Sequence, residues 1–166
     1  MTVTRRALLL AAVAAWPCGR PASQRPPSAP ADRAGEIEWH ILFLTNQQRN
    51  WQKLPQFEAS AELADVARAH SRDMLARDFF SHVNPDGLSP KDRAAKRGLR
   101  FKVIAENIFS TENGTTDAAE AASHILTGWM DHPGHRRNIL DRTLRYLGVG
   151  VAVSETEILA TQLFGA

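Results

Sequence analysis

Cysteine is all but missing. The 166 residues hold one, Cys18, ahead of anything that could pack. The domain therefore has no internal disulfide and no thiolate nucleophile, and must rely on its core. No GxSxG, P-loop, GxGxxG or HExxH pattern occurs, so the serine elbow, the phosphate loop, the dinucleotide fold and the dense zinc helix find no support. Long apolar runs are missing too. The run ALLLAAVAAW has ten residues, too few for a stable membrane-spanning helix. A large charge of one sign is also absent. The net charge is +2, yet Arg5, Arg6, Arg20 and Arg25 put +4 in the first 31 residues, which leaves −2 for the rest. A near-neutral domain lacks the basic footprint of a nucleic-acid binder.

What is present begins with an export signal. "MTVTRR" is a basic n-region, the apolar run follows, and small residues come after it. Arginines paired just before apolar residues fit a twin-arginine signal. Trp16 and Pro17 precede Cys18 where a lipoprotein has small residues, which argues against lipidation. The reading is a signal over 1–22, its cleavage point open between "AVAA" and "RPAS", then a proline-rich linker over 23–35 and one domain over 36–166.

Helical stripes dominate the first part of the domain. Ile37, Ile41, Leu44, Gln48 and Trp51 recur at helical spacing. "PQFEASAELADVARAHSRDMLARD" reads as a stronger helix, with Leu63, Val66, Ala67, His70 and Met74 on one face. Ser89, Pro90 and Asp92 open a short helix that Gly98 stops. A further helix, capped by Thr115 or Thr116, ends near Met130. "YLGVGVAV" and "EILATQLFG" read as a hairpin, and "RFKVIAENI" holds another strand. Helices first and strands late favour α+β with an antiparallel sheet.

Six histidines are available. His70 lies on an apolar face and reads as a hydrogen-bonded core residue; His40 and His124 read as surface or packing positions. His82 ends "RDFFSH", where Phe79 and Phe80 anchor the chain before the turn "NPDG". Glu106 stands among apolar neighbours in "VIAENIF" and needs a polar or cationic partner. In "WMDHPGHRRNIL", Pro133 and Gly134 interrupt the helix, so the rings of His132 and His135 are expected to diverge. Two imidazoles and one carboxylate suit zinc with an open position for water.

Seven motifs in one order carry a resemblance: "LTNQQR", "LADVARAHSRDML", "FFSHVNPDG", "AENI" after "RG", "GWMDHPGHRRNIL", "LGVGVAV" and "ATQLFG". From about Glu36 to Ala166 the chain resembles the CAP superfamily (SCP-like; cysteine-rich secretory, antigen 5 and pathogenesis-related-1 domains), in its cysteine-free bacterial form. The resemblance implies a three-layer α-β-α sandwich with a central antiparallel sheet. It also implies a cleft lined by two histidines and two acids. By motif these are His82, Glu106 and His135, with His132 where the second acid belongs; Asp131 is adjacent. His132 is then a replacement ligand or a rim residue. Relatives bind zinc or other divalent cations, sterols, fatty acids or proteins, and some have been proposed as proteases or cell-wall-active enzymes. The favoured expectation is an exported binding module. It would engage an envelope component, a lipid or a protein, with Zn2+ or another divalent cation held by His82, Glu106 and His135, and Asp131 or His132 as the further donor. The alternatives are a metal-dependent hydrolase, with Glu106 as ligand or base, and a lipid or sterol carrier.

Overall fold

The computed structural model describes residues 32–166; the expected signal, Cys18 and most of the expected linker lie outside the described residues. The chain enters helix α1 (Arg33–Trp51) through Asp32, whose side chain accepts from Gly35 N at 2.8 Å. Residues 33–35 are thus helical rather than linker. The buried row of α1 is Ile37, Ile41, Thr45 and Arg49 at a constant spacing of four, and Trp51 stays 68% exposed. The predicted stripe therefore fails at its C-terminal end. Arg49 takes the inward position there, because its guanidinium can satisfy the carbonyls of Pro55 (2.6 Å), Ile139 (2.9 Å) and Asp141 (2.8 Å).

Residues 55–59, expected to be helical, lie outside any helix and include the two-residue strand β1 (Glu58–Ala59). Helix α2 (Ala61–Arg77) starts only at its cap, Ser60. Helix α3 (Pro90–Lys96) has the predicted capping box of Ser89 and Asp92 with Pro90 inside it. Strand β2 (Ile104–Glu112) is followed by α4 (Ala118–Asp131) and α5 (Pro133–Leu140). Asp117 caps α4, not Thr115 or Thr116; its carboxylate accepts from Ala119 N at 2.7 Å and Glu120 N at 3.2 Å. A carboxylate is the better acceptor at the positive end of a helix.

Strands β3 (Tyr146–Val153) and β4 (Glu157–Gly165) form the predicted hairpin. The sheet order is β1-β3-β4-β2, antiparallel except for β1, which pairs parallel with β3. The fold is α+β, a sheet between helical layers. On one face, Ile37 and Ile41 of α1 and Ile125 and Trp129 of α4 pack with Val149, Val151 and Phe164. On the other, Leu63, Val66 and Ala67 of α2 pack on Leu163. Trp129 is fully buried, and its Nε1 donates to Ile108 O at 3.0 Å. The α2 layer sits very close. A Cβ on Gly148 would stand 2.1 Å from Ala64 N, and one on Gly150 would stand 2.0 Å from Arg68 N. The glycines of "LGVGV" thus make room for a helix backbone.

Candidate functional site

Alternation along β2 sends consecutive residues to opposite layers. Glu106 lies opposite Leu163, on the α2 side, and Asn107 lies opposite Gln162, on the α1 side. Each organises a different part of the site.

The Glu106 side chain is 2% exposed, and both of its oxygens are engaged. Arg93 Nη2 donates to Oε2 at 2.5 Å, and His82 Nδ1 lies 2.9 Å from Oε1. A carboxylate only accepts, so Nδ1 carries a proton, and in the neutral ring Nε2 of His82 is the bare acceptor. The same Arg93 donates through Nη1 to the carbonyls of His82 (2.7 Å) and Leu88 (2.9 Å), which fixes the loop that presents the histidine. Asn84 shapes the turn: its Oδ1 accepts from Asp86 N at 3.2 Å and Leu88 N at 2.9 Å, with Gly87 at φ +76°. The His82 side chain remains 49% exposed, so the oriented ring meets solvent.

His70 is the core residue expected, with Nε2 donating to Ser81 O at 3.0 Å. It is also a neighbour of the site, 3.8 Å from Glu106 Oε1. Burial holds its imidazole below the usual range; Glu106 opposes this and Arg93 adds to it. Phe79 packs tilted against His70 at 5.9 Å, but Phe80 is 55% exposed, so one aromatic anchors this loop rather than two.

On the other side, Asn107 Nδ2 donates to His135 O at 3.2 Å and to Gln162 Oε1 at 3.0 Å. Asn138 Nδ2 donates to Asn107 Oδ1 at 2.9 Å and to Glu106 O at 3.3 Å. These amides lock the first turn of α5 to the strand that carries Glu106. His132 caps α5, its Nδ1 accepting from His135 N at 3.5 Å. Its ring lies 4.3 Å from that of His135, tilted by 37°. The expected divergence is therefore overturned: capping folds His132 back over its neighbour. Burial first, then the charges of His132 and His82, holds the His135 imidazole down. Asp131 ends α4, exposed, and its side chain has no hydrogen bond or ion pair among the described residues.

Among the described residues, no three His, Cys, Asp or Glu side chains are grouped so as to hold a metal ion. His82 offers an imidazole donor of the kind zinc prefers, but Glu106 in this arrangement serves Arg93 and His82 instead of standing free. Sequence reasoning missed Arg93, Asn107 and Asn138. The buried acid announced that a cation was needed, and nothing local said which arginine would come.

Two concavities beside α2 are not lined by His82 itself. One of about 360 Å³, between α1 and α2 at the β3 edge, includes Trp39, Leu42, Ala64 and Val149. The other, of about 460 Å³, lies between α2 and α3. No helix among the described residues is long and apolar enough to cross a membrane.

Comparison with known proteins agrees with this architecture. The chain is 32% identical over 127 residues to the uncharacterized protein YkwD of Bacillus subtilis (strain 168), covering 76% of this chain and 46% of the relative. An extracellular protein containing a SCP domain from Bacillus anthracis str. Ames superposes with a TM-score of 0.66 at 32% identity, covering 78% of this chain and 40% of that one. An outer surface protein of Borrelia burgdorferi shares the fold, with a TM-score of 0.69 at 17% identity over 81% of this chain and 94% of that one. The chain spans less than half the length of the curated relatives it matches. Residues 42–164 match the cysteine-rich secretory protein family, CAP, and the chain belongs to that family.

Proposed function

We propose that this CAP chain is an exported binding module whose working group is the outward nitrogen of His82. The observation that carries the reading is the 2.9 Å bond from His82 Nδ1 to the buried Glu106 carboxylate. Histidines that ligate metals characteristically donate their other ring N–H to such a carboxylate, which fixes ring and tautomer. A divalent cation such as zinc would take Nε2 of His82 as its imidazole donor, and His135, with His132 or Asp131, would have to move to it on binding, since no three such side chains are grouped among the described residues. Glu106 stands behind His82 as the orienting group. Water or the bound partner, an envelope component of protein or lipid, would fill the remaining positions. A metal-dependent hydrolase is less well supported, because Glu106, the ligand or base that reading relies on, has both oxygens occupied.

Calorimetric zinc titration of the metal-free protein tests the site. His82→Ala and His135→Ala should each abolish tight uptake, and His40→Ala should leave it intact. Zinc binding equal to the parent in the first two variants would refute it. The leader over 1–22 and the extracellular and outer-surface relatives support export. A reporter fused to residues 1–35 should leave the cytoplasm; retention would refute export. The groove beside Trp39 and Leu42 favours a second reading, lipid carriage, which predicts an acyl lipid in the natively purified protein.

A further inference from the structure

The sheet stops short beside α1. Strand β1 pairs with β3 only at Tyr146 and Leu147, and beyond them the edge of β3 has no further strand among the described residues. A groove of about 360 Å³ stands there between α1 and α2, lined in part by Leu147 and Val149. It runs on into a second concavity of about 280 Å³, because Trp39 and Leu42 line both. From Gly35 to Asn50 the two together follow α1 for roughly 22 Å.

The walls say what kind of occupant fits. The sheet edge is closed to an added strand at Val151, whose N–H already donates to Glu38 Oε1 at 3.0 Å, and Arg68 holds that carboxylate at 2.8 Å. An occupant must therefore bind by packing, without ladder hydrogen bonds. Trp39 and Phe43 offer the surface: their rings stack parallel with centroids 5.5 Å apart, and Phe43 is 47% exposed. Aromatic-lined grooves suit proline-rich segments, because the polyproline II form has no internal hydrogen bonds and proline has no N–H to satisfy. The chain supplies such a segment. Residues 25–30 read RPPSAP, which sets Pro27 and Pro30 at the three-residue repeat of that form. The described chain begins at Asp32, close to Gly35 at the end of the groove. Residues 24–31 would span about 25 Å in that form, which matches the groove. They carry Arg25 and no acid, against a charge of −2 on the domain. A tethered segment also has a high effective concentration, so a shallow groove suffices to hold it.

We infer that residues 24–31 of this chain dock in the groove along α1, with Pro27 and Pro30 against Trp39 and Phe43. The docked segment covers the exposed aromatic surface and closes the groove to an acyl lipid. The contact is separate from the outward nitrogen of His82 and stands or falls independently of the metal reading.

A nitroxide label at the far end of the segment tests this in the full chain. Cys18 is the chain's one cysteine, so Cys18→Ser with Gln24→Cys gives a single attachment point, which both candidate cleavage points leave in place. The backbone amide signals of Gln47 and Asn50, at the distal end of the groove, should lose most of their intensity and recover it when the nitroxide is reduced. Adding P27A/P30A should restore them with the label still active, at an unchanged unfolding midpoint. Phe43→Ser, at an exposed position, should do the same from the side of the groove. Broadening confined to residues 33–36, beside the tether, would overturn the docking. So would broadening at Gln47 and Asn50 that survives P27A/P30A, or an acyl lipid seated in the groove of the natively purified chain while those signals stay sharp.

Discussion

Arg93 Nη2 stands 2.5 Å from Glu106 Oε2 with both side chains buried, so the central carboxylate of this fold is neutralised by an arginine from a seven-residue helix. Removing one partner leaves an uncompensated charge in the interior. Arg93→Ala or Glu106→Ala should each cost about 3–5 kcal/mol in denaturant unfolding. The double variant should cost less than the sum, because it strands no charge. Strict additivity would show that the two groups do not act as a pair.

Gly150 tests the close approach of α2 to the sheet. Its added Cβ would meet the backbone at Arg68 N and at Ala67 C, 2.0 and 2.3 Å away, so no flexible side chain can yield. Gly150→Ala should destabilise by about 1–3 kcal/mol or more. Gly114→Ala, where nothing lies within 4 Å, should be nearly silent. Equal effects would mean that α2 lies farther out.

Acid should weaken the fold before the carboxylates titrate. Burial holds His70 and His135 below the ordinary histidine value of about 6.5. Below that value the unfolded chain binds protons that the folded chain refuses. Their contribution is therefore complete above about pH 6.5 and is lost as pH falls toward the folded pKa values. The urea midpoint should drop between about pH 7.5 and 5.5. A midpoint that holds or rises over this window would contradict the buried, neutral assignment of His70.

Much of this fold is legible in the sequence because it rests on local signals. Ser89, Pro90 and Asp92 announce α3 by chemistry that operates within one turn. The hairpin of β3 and β4 follows from apolar runs around "SETE". The errors arise where distant partners decide. Arg49 displaces Trp51 from the buried row because carbonyls from residues 139 and 141 need a donor. Phe57 leaves the predicted helix because its backbone N–H bonds to Asn46 Oδ1 at 2.8 Å, an interaction with another element. At the site, the residue types His82, Glu106 and His135 could be read, yet their connections could not. Arg93 and Asn138 bond to Glu106 from 13 and 32 residues away. The mutual approach of His132 and His135 depends on a side chain turning back to cap its own helix.

The most direct test of the account is the tautomer of His82. Long-range nitrogen–proton correlation spectra of the imidazole rings distinguish a protonated Nδ1 from a protonated Nε2. In the neutral ring the account predicts that His82 carries its proton on Nδ1, facing Glu106, with Nε2 bare. Adding zinc should then shift Nε2 of His82 while Nδ1 keeps its proton. A His82 ring protonated on Nε2 in the absence of metal would contradict the orienting role of Glu106, and with it the site on which the proposed function rests.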